Sequence, residues 1–247
     1  MGELTQIIKL DATDSTNLYL KNLIQSSTLS DYTTVVAKRQ EKGRGQMGTN
    51  WQSEEGKNLT FSVLKNFNAL DVSRQFNLNM VVSLALYTVL SDLQIPNVKV
   101  KWPNDILSGS KKICGILIEN VLIGSSVKQS IIGIGLNVNQ VSFGNLAKAS
   151  SLSVVSGRSF DLDYVLECIL EKMKTFLGNL ENQSFSGLQS QYEALLFRKD
   201  VVSTFKKGEE ELFSGIIRGI SETGQLIVEL EDTSLTTFSF KEVSLQF

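Results

Sequence analysis

The chain has 247 residues, with 24 Lys+Arg against 26 Asp+Glu, a formal net charge of −2, and no histidine. That absence excludes Ser-His-Asp and Cys-His nucleophile relays and every zinc site that needs imidazole, and two cysteines cannot supply a Cys₄ site. The near-neutral charge argues against bulk nucleic-acid binding, and the 42% hydrophobic content is ample for a globular core.

In chain order, Gln6–Leu10 reads as a strand, and Asp14-Ser15-Thr16 offers N-cap side chains to a helix with Leu18, Leu23 and Ile24 on its apolar face. The β-branched run Thr33–Lys38 is strand-like. A glycine-rich polar loop, Arg39–Asn50, separates it from a strand at Asn58–Leu64. Val72–Leu93 is the longest predicted helix, apolar enough from Leu78 to Leu90 to be a core helix. Val98–Trp102 is a short strand stopped by Pro103. Ser108-Gly109-Ser110 is a hairpin turn into Lys112–Ile123, and Ser130–Val138 is a further apolar run. Helices are predicted at Asp161–Leu180 and Gly187–Phe197.

From about Lys199 the pattern becomes short β runs, Val201–Phe205, Leu212–Ile220, Leu226–Leu230 and Thr236–Phe240, a unit the size of a compact barrel. The boundary falls near Arg198, which divides the chain into 1–197 and 198–247. The start has neither the basic head nor the apolar run of a secretory peptide, and no apolar stretch reaches the roughly 20 residues of a membrane helix. The expected location is the cytoplasm, with Cys114 and Cys168 as small buried hydrophobes. The glycosylation sequons at Asn58 and Asn182 then carry little meaning.

Four segments are able to carry chemistry. Gly43, Gly45 and Gly48 match G-x-G-x-x-G, but the residues after them lead into a strand, not a helix, so the dinucleotide reading is set aside. What remains is either a solvated loop or a cradle of free backbone N–H groups for a phosphate or carboxylate, with Lys38, Arg39, Lys42 and Arg44 beside it. In Lys101-Trp102-Pro103-Asn104-Asp105, Asp105 begins a strand and either reaches a cleft or caps a turn. In Lys112-Ile113-Cys114-Gly115-Ile116-Leu117-Ile118-Glu119, a lysine enters an apolar strand and needs a partner unless it guards an edge. In Ile132-Gly133-Ile134-Gly135-Leu136-Asn137, alternating glycines leave one strand face bare, for a flat ligand or for a close-packed helix.

Taken together and in this order, Ser15-Thr16-Asn17, Gln40, Gly43-Arg44-Gly45 with Gly48 and Trp51, Lys101–Asp105, Lys112-x-x-Gly115-Ile116-Leu117 and Gly133-x-Gly135-x-Asn137-Val138 resemble the biotin–protein ligases. The resemblance covers about residues 5–195. It implies an α+β fold: a mixed sheet packed with helices, of the class II synthetase/biotin–lipoate ligase kind, followed by a small SH3-like β-barrel. It also implies two half-reactions. Biotin and MgATP give biotinyl-5′-AMP, and the acyl group passes to one lysine of a biotin carboxyl carrier domain.

The roles it implies are these. Ser15, Thr16 and Gln40 hydrogen-bond the biotin ring, with Asn17, Gly43, Arg44, Lys112 and Gly115 completing the biotin site. Gly43, Arg44, Gly45, Gln46 and Gly48 close over the nucleotide; Trp51 stacks on adenine, with Asn104, Lys112 and Asn137 beside it. Lys112 and Arg44 stabilise charge as the adenylate forms, and Asp105 orients or deprotonates the acceptor lysine. Such chemistry needs no histidine, because the attacking carboxylate is already ionised. Any transfer-rate midpoint near neutrality must come from another group, Asp105 first. The magnesium ligands are not identifiable from the sequence. The oligomer is a monomer or homodimer, and no membrane partner is expected.

Two departures stand out. Gln46 and Thr49 occupy positions where the family often carries arginine, which predicts slower loop ordering or faster loss of the adenylate. The chain opens on the catalytic region with no winged helix ahead of it, so no operator binding is expected. The closest rival activity is lipoate–protein ligation; a non-catalytic biotin or nucleotide sensor is the rival from another class, disfavoured by Lys112 and Arg44.

Overall fold

A computed structural model describes residues 6–178, 180, 184–208 and 211–247. The first sheet has seven strands in the order β1-β2-β3-β7-β6-β5-β4. They are β1 (Ile7–Thr13), β2 (Thr34–Gln40), β3 (Leu59–Asp71), β4 (Val98–Lys101), β5 (Asp105–Ser108), β6 (Lys111–Ile123) and β7 (Ser126–Leu136). β1 and β2 run parallel, joined by helix α1 (Thr16–Ser26). Every other neighbouring pair is antiparallel. This is the mixed α+β sheet the sequence predicts.

Helix α2 (Phe76–Asp92) is buried along most of its length, as its nearly continuous apolar sequence requires. It starts later than the predicted Val72, because the Asp71 carboxylate accepts from Ser73 N and draws Val72–Arg74 into a separate 3₁₀ turn. The short helix α3 (Leu152–Ser156), which the sequence reading missed, follows β7. Its N-cap Ser151 accepts from Val154 N. Helix α4 (Leu162–Gly178) packs against α2, and α5 (Phe185–Ala194) follows. Asn179 and Asn182, inside the predicted helix end and the second sequon, lie outside the described residues. The sequon at Asn58 is buried, with its amide bonded to Gln140 Oε1 at 2.6 Å, so the folded chain offers no glycosylation site there. Cys114 is fully buried, whereas Cys168 is half-buried.

The C-terminal sheet has five antiparallel strands in the order β11-β10-β9-β8-β12. They are β8 (Val202–Lys207), β9 (Glu211–Ile220), β10 (Leu226–Leu230), β11 (Leu235–Phe238) and β12 (Val243–Gln246). This is consistent with an SH3-like unit; β12 was not anticipated. The unit is fused to the first sheet by packing. Phe240 lies 5.9 Å from the Phe76 ring and 5.3 Å from the Trp102 ring. Trp102 Nε1 donates to Gly224 O at 2.8 Å, and Gly224 has no room for a Cβ against the Phe76 ring. Ile220 N donates to the Glu193 carboxylate at 2.9 Å. Phe205, Ile217, Val228 and Phe238 belong to the same continuous core as α2 and α4.

Candidate active site

A cavity of ≈ 250 Å³ opens on the face of the first sheet where β2, β6 and β7 meet the start of α1. Its two ends differ in chemistry.

At one end the amides and hydroxyls bond each other. Ser15 is the N-cap residue of α1, but its side chain makes no capping bond; it lines the cavity instead. The helix N-terminus is served from a distance: Thr16 N donates to Gln40 Oε1 at 2.9 Å, and Thr16 Oγ1 reaches the same oxygen at 3.1 Å. Ser62, fully buried on β3, stands 2.7 Å from Thr16 Oγ1 and 2.6 Å from Asn17 Oδ1. Asn17 Oδ1 can only accept, so the Ser62 proton belongs to that bond and fixes which way the amide faces. Asn17 Nδ2 then donates to Glu119 Oε2 at 2.7 Å and lies 3.3 Å from Leu117 O. Gly133 makes room for this: a Cβ there would overlap Asn17 Oδ1 and stand 3.0 Å from its Cγ. Half of the alternating-glycine pattern is thereby explained.

Gly115 and Gly135, which pair across β6 and β7, carry the other end. A Cβ at 115 would stand 3.1 Å from Trp51 Cζ3, and one at 135 would stand 2.6 Å from Cζ2. The flat group on the bare face is thus the Trp51 indole. Its Nε1 is buried without an acceptor among the described residues. Lys112 Nζ lies 5.7 Å from the centre of that ring and 2.5 Å from Asp105 Oδ1. Lys101 Nζ approaches the other Asp105 oxygen at 3.7 Å. Asp105 begins β5 and lines the cavity, so it reaches the cleft. The turn before it is braced by Tyr192, whose hydroxyl donates to Pro103 O at 3.4 Å and whose burial pushes its ionisation well above the usual phenol range.

The glycine loop folds as a small hairpin held partly by its own backbone. Gly45 N donates to Thr49 O at 2.6 Å, Thr49 N to Gln46 O at 3.3 Å and Trp51 N to Gly43 O at 2.9 Å, so these donors are used within the loop. Gly43 and Gly45 are required there: a Cβ at 43 would meet Trp51 O, and one at 45 would meet Thr49 Oγ1. Thr49 closes the turn through Oγ1 to Gln46 O at 2.9 Å, a role no arginine at that position would play. Arg44 leaves the loop to pair with Glu119 Oε2 at 3.2 Å.

Of the residues singled out from the sequence, Ser15, Thr16, Asn17, Gln40, Arg44, Gly45, Gln46, Trp51, Asn104, Asp105, Lys112 and Gly115 line this one cavity. Gly43 and Gly48 shape the loop from behind the wall. Asn137 lies off the wall: its Nδ2 donates to Ser150 O at 2.9 Å, while its Oδ1 is buried without a partner among the described residues. Asn104 spends its Nδ2 on Ile116 O at 2.7 Å. The sequence reading passed over Ser62 and Glu119 as site residues. Glu119 had a visible signal, a carboxylate inside an apolar strand; Ser62 had none. Lys241 of the C-terminal unit also reaches the cavity wall. No cluster of three or more His, Cys, Asp or Glu able to hold a metal occurs among the described residues. Likewise, none of their helices is long and apolar enough to cross a membrane.

A mixed sheet with a cavity that is amide-lined at one end and cationic at the other defines an α+β domain built to bind a small polar ligand beside an anion. The sequence profile of the Biotin/lipoate A/B protein ligase family matches residues 10–137, and the chain belongs to that family. It is 29% identical over 239 residues to the bifunctional ligase/repressor BirA of Salmonella typhimurium, covering 96% of this chain and 73% of that protein. It is 28% identical to the biotin–[acetyl-CoA-carboxylase] ligase of Paracoccus denitrificans, over 89% of this chain and 92% of that one. Among solved structures it resembles the Aquifex aeolicus biotin protein ligase in complex with biotin and ATP, with 29% identity, a TM-score of 0.80, and coverage of 98% of this chain and 99% of that one.

Proposed function

We infer that this chain is a biotin–protein ligase that activates biotin with ATP to biotinyl-5′-AMP and transfers the biotinyl group to a lysine of a biotin carboxyl carrier domain. The observation that carries this reading is the joining, in one cavity, of the Gln40–Thr16–Asn17 network with Lys112, Arg44 and Asp105. The fixed amides and hydroxyls suit the ureido ring, an uncharged group rich in donors and acceptors. The cations suit a carboxylate attacking an α-phosphate. ATP enters as its magnesium complex, a substrate ion that keeps several waters and needs few protein ligands.

Placement in the cavity supports the roles assigned here. Lys112 leaves Asp105 to bridge the biotin carboxylate and α-phosphate, and Arg44 adds countercharge as negative charge builds up on the phosphoryl oxygens. Lifting Trp51 off Gly115 and Gly135 gives its indole a face for adenine and its orphaned Nε1 an acceptor. Asn137 Oδ1 is a second unmet polar atom, an acceptor that lies off the cavity wall. In transfer, Asp105 accepts a hydrogen bond from the acceptor lysine, which is mostly protonated near neutrality and must lose a proton before it attacks. We place the catalytic unit at 1–197, the SH3-like unit at 198–247 and the activity in the cytoplasm.

The test is transfer of labelled biotin to a carrier domain, with lipoate as the parallel substrate. Labelling of one carrier lysine by biotin and not lipoate supports the reading. Lipoate transfer in its place would move the chain to the other branch of its family, and binding of biotin without turnover would make it a sensor.

A further inference from the structure

Glu119 stands where the two ends of the cavity meet, and the family-based assignment of roles gives it none. It sits on β6 after the run Ile116-Leu117-Ile118, a place where a carboxylate needs partners. A single oxygen, Oε2, takes both of them: Asn17 Nδ2 at 2.7 Å from the biotin end, and Arg44 NH2 at 3.2 Å from the glycine loop. The loop's internal hydrogen bonds fix its shape but do not fix where it stands against the sheet. Its base is tied beside β1 by Glu41 N to Thr13 O and Lys42 N to Asp14 O, both at 2.9 Å, and two side-chain contacts hold the part that faces the cavity. Trp51 packs on the paired glycines, an apolar and non-directional anchor, and Arg44 binds Glu119, a charged and directional one.

We propose that Glu119 is a positioning residue that latches the Gly43–Gly48 loop to the biotin end of the cavity and aims the Arg44 guanidinium at the reacting phosphate. Glu119 is not on the cavity wall, so it acts through Arg44. Guanidinium carries its donors in a rigid fork. One arm held at Glu119 leaves the others oriented toward a phosphoryl or carboxylate oxygen. The shared oxygen also links the two ends. The fixed Asn17 amide thereby sets where Glu119, and through it Arg44, stands.

The inference rests on the biotin-ligase reading, and the experiment separates the two. Wild-type biotin-dependent exchange of pyrophosphate into ATP is measured first; its absence refutes the reading. Glu119→Gln, Arg44→Gln and the double variant then enter single-turnover adenylation and adenylate-release assays. The first of these keeps an acceptor for Asn17 while removing the charge. We expect Glu119→Gln to slow adenylation about tenfold and to speed adenylate loss by about the same factor. Biotin affinity should change less than about threefold, and Glu119→Gln should add nothing further in the Arg44→Gln background. Equal effects with and without Arg44 would overturn the proposal. So would a loss confined to biotin affinity, or no change in either rate. Amide hydrogen exchange over residues 43–51 reads the latch without turnover: it should quicken in Glu119→Gln while the melting temperature holds, and unchanged exchange would also overturn it.

Discussion

The two ends of the cavity are built on opposite principles. At the Thr16 end, the network groups have protein partners: Gln40 serves the N-terminus of α1, Ser62 fixes Asn17, and Gly133 leaves space for the amide. That end is set before any ligand arrives, and a set site binds without a reorganisation cost. At the Trp51 end the groups satisfy one another or nothing. Lys112 is paired with Asp105, Arg44 with Glu119, and Trp51 Nε1 is orphaned on a glycine platform. The Lys112–Asp105 pair and the Trp51 stack must be exchanged for substrate contacts during turnover, while the Arg44–Glu119 pair holds. The contrast suits an enzyme that recognises a small neutral ring first and organises countercharge only when there is charge to meet.

Breaking the cationic end should have the largest effect. Lys112→Met should lower single-turnover adenylation at saturating biotin about 1,000-fold, while biotin affinity, read by calorimetry, falls only about threefold through the lost carboxylate contact. A loss of biotin affinity as large as the loss of rate would show that the two ends are not separable. Breaking the preset end comes next. Gly133→Ala drives a methyl into Asn17 and should weaken biotin about 30-fold, with adenylation at saturating biotin largely retained. Ser62→Ala leaves Asn17 Oδ1 without its donor and should cost biotin affinity about tenfold; an unchanged dissociation constant would mean the network is decoration. The smallest effect sharpens the contrast rather than breaking it. Gln46→Arg adds a cation to the loop and should slow adenylate release by about threefold, measured by stopped flow, and equal rates would remove the case that this loop is short of charge.

Much of the sheet was legible because strand signals are local. The glycine alternation from Gly133 to Gly135, the Asp105 strand start and the hairpin at Gly109 follow from neighbouring residues alone. What was not legible is pairing across distance. Ser62 and Asn17 are 45 residues apart, and Asn17 and Glu119 are 102 apart, so no window of sequence shows either bond. The bare face is legible from the glycines, but not its occupants, Asn17 of α1 over Gly133 and the Trp51 indole over Gly135. A tryptophan that will stack on a substrate and one that fills the site have the same sequence. The sequence leaves the loop open as a solvated turn or a cradle, because glycine permits both; only the structure shows three of its N–H groups, on Gly45, Thr49 and Trp51, bonded to carbonyls of the loop itself.

The account stands or falls on ATP–pyrophosphate exchange followed across a range of biotin concentrations for the wild-type chain, Gly133→Ala and Lys112→Met. It predicts exchange that requires biotin, a Gly133→Ala rate that recovers as biotin is raised, and a Lys112→Met rate that no concentration of biotin restores. Exchange without biotin, or recovery of Lys112→Met by added biotin, would contradict it.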